Sequence, residues 1–300
     1  MSFWTDLLGL QFEVRNVDVK GVGTRVMTLG EGEPLICLHG ISGHLEAFLA
    51  TAPEHAKDFS VHLIDMLGHG YTDKPEGLYT IDRLAQHVID YMDVAGIEQA
   101  NFCGISLGGW VVGWLAAYFP HRVKRVTMVL AAGNPAMANP DITERIRATI
   151  IAAVSNQDIE DTRKRLEMVV HNPKRVTREL VEARYAIYHQ PAFQAAVDQV
   201  LAPTRSDLYQ RFMLTDAVLG LIKAQVLLVW SDKDVYSDVT GAQHFVDHLP
   251  QQKLVTFEST GDWPPHERPL AFASLNVDFL KHGLEAVRSG NFDHRLEEAP

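Results

Sequence analysis

The segment Gly104-Ile105-Ser106-Leu107-Gly108 sets a serine between two glycines, each two positions away. An apolar run precedes it and a segment rich in Val, Trp, Leu and Ala follows, so the serine is expected on a sharp strand-to-helix turn. A hydroxyl placed there stands above a sheet edge and close to a helix N-terminus, which suits a nucleophile. Glycine is needed on both sides because side chains would block the approach of strand and helix. Attack on a carbonyl also needs donors for the oxyanion that forms. His39-Gly40-Ile41-Ser42-Gly43 follows another apolar run and is expected to aim the Ile41 N–H at that place, paired with the Leu107 N–H. His39 itself reads as a structural loop histidine. Trp230-Ser231-Asp232-Lys233-Asp234 ends a late apolar run and supplies a carboxylate to orient a catalytic base. One of its two aspartates is expected to be solvated surface.

The elements that must hold these residues follow from the hydrophobic pattern. Short runs rich in Val, Ile and Leu alternate with longer amphipathic segments, which is the pattern of an α/β protein with a mostly parallel sheet covered by helices. Phe12 to Val19 and Thr24 to Thr28 predict an opening hairpin. Pro34 to Leu38, Ser60 to Ile64, Asn101 to Gly104, Val123 to Leu130, Gln225 to Trp230 and Lys253 to Glu258 complete about eight strands. Between Ala132 and about Ala217 the strand signals stop. Helices are expected there, among them Ile142 to Ala153 and Arg178 to Tyr188, broken at Pro140, Pro173 and Pro191. The chain therefore divides into a first core part (1–134), a helical insertion (135–217), a second core part (218–282) and a polar tail (283–300).

Composition narrows the partners. The 300 residues hold 27 Lys and Arg against 38 Asp and Glu, a formal charge of −11, and such a surface does not suit nucleic acid. Apolar residues at 46% and charged residues at 22% are ordinary globular values, so neither a disordered nor a fibrous chain is expected. The longest near-apolar run, 108–119, falls short of the roughly 20 residues that span a bilayer. The opening residues Met1 to Asp6 lack the basic region and apolar stretch of a signal peptide. Cys37 and Cys103 lie inside apolar runs and read as free thiols of a reducing compartment, so the expected location is the cytoplasm. There is no H-E-x-x-H, no zinc-type Cys/His spacing and no phosphate-cradling glycine loop, so no metal and no cofactor is expected. Histidine is abundant, with 14 copies.

Taken together, these motifs, with serine ahead of aspartate in the chain, resemble the α/β-hydrolase superfamily from about Phe3 to Leu280. The resemblance is closer to one branch, the hydrolases that cleave C–C bonds in ring-fission (meta-cleavage) products of aromatic degradation. It rests on His39-Gly40 with Gly43-His44-Leu45-Glu46-Ala47-Phe48, on Ile64-Asp65-Met66-Leu67-Gly68-His69-Gly70, on Ser106-Leu107-Gly108-Gly109-Trp110, and on Trp263 with Glu267-Arg268-Pro269. It implies the α/β-hydrolase fold, with an eight-stranded sheet and the helical insertion as a lid. It further implies Ser106 as nucleophile, Ile41 and Leu107 as oxyanion donors, and Ser42, Arg184 and Trp263 on the substrate. Arg184, in Glu182-Ala183-Arg184-Tyr185, aligns with a lid arginine that pairs with a substrate carboxylate. The family pattern W-G-x-x-D, with Ser231 in place of its glycine, puts the acid on Asp234. A small-molecule substrate and no cofactor are implied, and a homodimer would fit the family.

The pattern departs at the base. The family ends its last strand with G-H-W, whereas this chain reads Gly261-Asp262-Trp263-Pro264-Pro265-His266. Ile105 and Thr51 also stand where C–C hydrolases tend to carry Asn. Aspartate is a far weaker base than histidine, about 3.9 against 6.5 in pKa, and next to Asp234 one of the two carboxyls should hold its proton. Three readings of Asp262 follow: a substitution in a working hydrolase, replacement of the base by His266, or a non-hydrolytic relative that uses the pocket for binding. An esterase or lactonase of the same fold is the competing enzyme class.

Overall fold

The structure, a computed structural model, describes residues 4–236, 239–288 and 290–292. Its frame is one sheet of nine strands: β1 (Phe12–Val19), β2 (Val22–Leu29), β3 (Glu33–Leu38), β4 (Phe59–Ile64), β5 (Ala100–Ile105), β6 (Val123–Val129), β7 (Gln225–Ser231), β8 (Gln252–Phe257) and β9 (Gly290–Phe292). Their order across the sheet is β1-β2-β4-β3-β5-β6-β7-β8-β9. β2 runs antiparallel to both of its neighbours, and every other pairing is parallel. The eight expected strands are present within a residue or two of the expected bounds. The ninth is an addition inside the polar tail, where three residues pair with the end of β8. Residues 293–300 lie outside the described residues.

Burial explains the arrangement. Each residue of β5 is buried, as a central parallel strand requires, whereas β1 at the edge is almost wholly exposed. The helix Ile81–Val94 buries Ile81, Leu84, Ala85, Val88, Ile89 and Met92 on one stripe and turns its other side to solvent. The helix Leu107–Tyr118 is buried nearly all round, since it lies between sheet and insertion. Cys37 and Cys103 face each other in register on β3 and β5, both buried and both free.

The chain crosses the sheet in opposite directions from β3, to β4 on one side and β5 on the other. A crevice outside the carboxyl ends of the strands is expected at such a switch point. The loop after β3 and the elbow after β5 meet there. Between β6 and β7 come only helices, notably Pro140–Ser155, Ile159–Glu167, Arg178–Tyr188 and Ser206–Phe212. Pro140 and Pro191 sit at first helical positions, and Asn139 and Thr177 cap helix starts by accepting from Asp141 N–H and Leu180 N–H. This helical insertion covers the crevice.

Candidate active site

The elbow is built by close approach. Ser106 has φ 50° and ψ −111°, a left-handed conformation unusual for a residue with a side chain, and it joins β5 directly to the helix Leu107–Tyr118. Its N–H donates to the Val129 carbonyl at 2.9 Å, and its own carbonyl accepts from the Ala132 N–H at 3.1 Å and the Trp110 N–H at 3.0 Å. These bonds hold the turn against β6. A Cβ on Gly104 would lie 2.2 Å from the Gly108 carbonyl oxygen, and one on Gly108 would lie 2.1 Å from that of Leu38. The two glycines of the motif are therefore required by backbone contact and not by flexibility.

The loop after β3 lies against the serine, for a Cβ on Gly40 would stand 3.5 Å from Ser106 Cβ. Neither the Ile41 N–H nor the Leu107 N–H has a hydrogen-bond partner among the described residues. Both are open to a ligand oxygen. His39 is a structural group: it is buried, its Nδ1–H donates to the Gly40 carbonyl at 2.7 Å and its Nε2 accepts from the Met66 N–H at 3.1 Å. Burial, with His69 close by, holds its pKa well below the ordinary imidazole value, so the ring stays neutral. Beneath the loop, Arg25 bonds Glu46 at 2.5 Å and Asp65 at 3.3 Å, and Asp65 accepts from the Leu45 N–H at 2.6 Å and the Tyr71 N–H at 2.8 Å. That buried charge cluster fixes the loop that carries Ile41.

Gly40, Ile41, Ser106, Asp234, Asp262, Trp263, Arg184 and Arg165 all line one cavity of about 100 Å³. The rest of its wall is mostly apolar, from Leu130, Met137, Ile146, Leu166 and Val169 among others. Asp234 is thus on the cavity, whereas Asp232 pairs with Lys233 at 3.1 Å away from it. Asp234 Oδ1 accepts from the Tyr236 N–H at 2.8 Å. Asp262 Oδ1 accepts from the Val235 N–H at 3.0 Å, while its Oδ2 is buried without a hydrogen-bond partner. Burial, and then the facing Asp234 carboxylate, push the Asp262 carboxyl well above the usual carboxylate range. Its backbone N–H donates to Val169 in the insertion at 3.0 Å, so the loop is tied to the cover.

Among the described residues no hydrogen bond joins Asp262 to Ser106: its Oδ1 accepts from the Val235 N–H and its carboxyl faces Asp234. A carboxyl on Cβ ends short of where an imidazole Nε2 would reach. His266 does not fill the gap. It lies off the cavity lining, stacks on Trp263 at 4.3 Å between ring centroids, and bonds the Arg175 carbonyl through Nε2 at 3.0 Å. Ser42 also lies behind the cavity. It is fully buried, its hydroxyl meets Tyr188 Oη at 2.9 Å, and its carbonyl accepts from Arg184 Nη1 at 2.9 Å. It places Arg184 instead of lining the pocket. Trp263 donates its indole N–H to Ala47 at 3.0 Å and keeps a face on the cavity.

Two cavity residues escaped the sequence reading, Arg165 and Tyr236, which bond each other at 3.1 Å. Arg165 lies in Glu160-Asp161-Thr162-Arg163-Lys164-Arg165, a run that reads as a solvated charged helix. Away from the cavity, Asp216, His244 and His248 form a cluster that no sequence motif marks, with His244 Nδ1 at 3.8 Å and His248 Nε2 at 3.4 Å from the Asp216 carboxylate.

A strained serine turn between strand and helix, two open backbone donors beside it and a helical insertion between β6 and β7 fit an α/β hydrolase. Residues 33–269 match the family model of the alpha/beta hydrolase fold, and the chain belongs to that family. Among its curated relatives is the 2-hydroxymuconate semialdehyde hydrolase of Pseudomonas sp. strain CF600, 27% identical over 92% of this chain and 96% of the relative. A solved meta-cleavage product hydrolase (CumD), from Pseudomonas fluorescens IP01, superposes with a TM-score of 0.74 at 25% identity, covering 91% of this chain and 98% of that one. The 2-hydroxy-6-oxo-6-phenylhexa-2,4-dienoate hydrolase of Rhodococcus sp. strain RHA1 shares the fold with a TM-score of 0.80 at 20% identity, covering 91% and 99%. These three relatives are hydrolases of aromatic ring-fission products, and this chain is a hydrolase of the same fold. No helix among the described residues is long and apolar enough to cross a membrane.

Proposed function

We propose that this protein is a serine hydrolase for a dienoate ring-fission product of aromatic degradation, cleaving a C–C bond next to a carbonyl, with turnover slowed by aspartate at the base position. The observation that supports it best is the shared cavity, where Ser106, two open N–H donors and the buried Arg184 guanidinium meet. Arg184 holds the substrate carboxylate, and Trp263 and the apolar wall hold its chain. The carbonyl oxygen lies between the Ile41 and Leu107 N–H groups, which stabilise the oxyanion as it forms. Ser106 Oγ attacks the carbonyl carbon and its proton passes to the ionised form of Asp262. The facing Asp234 carboxylate raises the proton affinity of Asp262 and so its strength as a base. The C–C bond then breaks, its electron pair leaving with the dienoate fragment and taking up a proton there, and water hydrolyses the acyl group from Ser106. No cofactor enters these steps. The substrate is small, and a homodimer and a cytoplasmic location complete the proposal.

The missing contact between Asp262 and Ser106 favours a second reading, in which the pocket binds its ligand without turnover. Both readings meet in one experiment. Asp262→His is compared with the parent on a p-nitrophenyl ester and on a dienoate ring-fission product. The hydrolase reading expects kcat/KM to rise on the order of a thousandfold or more, since loss of a triad base costs up to about a millionfold elsewhere. It also expects the dienoate to be preferred over the ester, whereas an esterase or lactonase would reverse that order. Ser106→Ala is expected to abolish both activities. Binding without any gain in Asp262→His would establish the second reading. Arg184→Gln is expected to raise KM for the dienoate by about a hundredfold and leave the neutral ester within a few-fold.

A further inference from the structure

Two buried guanidinium groups look into the Ser106 cavity, and only one has a role in the proposed reaction. Arg165, on the helix Ile159–Glu167, is 8% exposed and Arg184, on the helix Arg178–Tyr188, is 7% exposed. Among the described residues neither forms an ion pair with a carboxylate. Arg165 Nη1 donates to Tyr236 Oη at 3.1 Å, and Arg184 Nη1 donates to the Ser42 carbonyl at 2.9 Å and Tyr188 Oη at 3.3 Å. The Nε of each is buried and without a hydrogen-bond partner. A guanidinium cannot shed its proton, so each brings a fixed positive charge into a mostly apolar pocket.

Asp234 and Asp262 face each other beside Arg165, and neither carboxyl reaches ion-pair distance of either guanidinium. Tyr188 lies within the field of both: burial pushes its phenol up, while Arg184, Arg165 and the Ser42 hydroxyl pull it below the ordinary value. Buried charges of one sign are kept in folded proteins when something of opposite sign completes them. Arg184 stands on the side of the Ile41 loop, through Ser42, and Arg165 on the side of the Asp234 and Asp262 loops, through Tyr236.

We infer that Arg165 is a second anion-binding group of this cavity and that the preferred substrate is a dicarboxylate, one acid on Arg184 and the other, at the far end of the molecule, on Arg165. This deepens the hydrolase reading and rests on it for the chemistry between the two acids.

The test uses two ring-fission dienoates identical except that one ends in a methyl group and the other in a carboxylate. Their affinities are measured by calorimetry on the full chain bearing Ser106→Ala, so that turnover plays no part. The diacid is expected to bind at least tenfold more tightly. Adding Arg165→Met should remove that preference and leave the monoacid within about twofold, Arg165→Lys should keep most of it, and Arg184→Met should weaken both ligands. Equal affinities in the Ser106→Ala protein would overturn the inference. So would equal weakening of both ligands by Arg165→Met, or an effect of Arg165→Met confined to the pH profile of Asp262→His, which would make Arg165 a positioning residue for position 262. Hydrolysis of a neutral p-nitrophenyl ester by Asp262→His is read separately, so failure of the hydrolase reading is not confused with failure of the diacid preference.

Discussion

The Asp262 carboxyl stands among three groups of different charge: the Val235 N–H, the Asp234 carboxylate and the Arg165 guanidinium. Burial and the like charge of Asp234 dominate, and they raise its pKa well above the ordinary carboxylate range. Two consequences for catalysis pull in opposite directions. A higher pKa makes the ionised form a stronger base, while a smaller share of the protein carries that form at a given pH. Because the base must be ionised, activity of the parent protein is expected to climb with pH through the raised pKa and level off above it. Asp262→His should instead rise near the imidazole range and reach a far higher plateau. Asp262→Asn should be lowest and flat. The pH dependence of kcat/KM on a p-nitrophenyl ester distinguishes these profiles, and a pH-independent rate in the parent would show that Asp262 takes no proton in the reaction.

At the scale of elements, the site is held where the insertion is stapled to the core. Glu267, 3% exposed, accepts from the Gly261 N–H at 2.7 Å, from the His171 N–H at 2.8 Å and from the Asn172 N–H at 3.2 Å. One carboxylate thus joins the insertion to the loop bearing Asp262. Glu267→Ala strands three backbone donors and is expected to cost about 3 kcal/mol in urea unfolding, with KM for the dienoate rising as the cover loosens. A loss below about 0.5 kcal/mol would mean that water replaces the staple. Which parts of this architecture are legible in the sequence follows from physical distance. The elbow is legible because backbone contact at Gly104 and Gly108 leaves no other residue type. The helix Arg178–Tyr188 is legible from its Thr177 cap and the proline that follows it at 191. The strand Gly290–Phe292 is not, since three residues show no periodicity. Nor is the role of Arg165, whose neighbours in sequence are charged and whose neighbours in space come from Tyr236 and the cavity wall.

For the whole molecule, the abundance of histidine has a structural meaning that its composition alone does not disclose. His39, His44, His55, His62, His69 and His87 are all buried polar groups. His55 is held by the Thr51 carbonyl and by Asn276, His62 by Tyr91 and Ser60, His87 by Thr24. Burial lowers the pKa of His55, His62, His69 and His87 from 6.5 to about 4 in each case. The folded protein therefore keeps these rings neutral in a range where the unfolded chain protonates them. Between pH 6.5 and 4 the unfolded state binds more protons, so stability is complete above that window and falls as pH drops through it. Each such group is worth about 3 kcal/mol across the window, and together they rival the 5–15 kcal/mol that is typical of a whole domain. Urea midpoints are expected to change little from pH 8 to 7 and to collapse between pH 6 and 5. His87→Gln, which keeps an acceptor or donor for Thr24, should reduce the slope by about one proton. A midpoint that stays level from pH 7 to 5 would show that these imidazoles titrate in the folded state with little penalty.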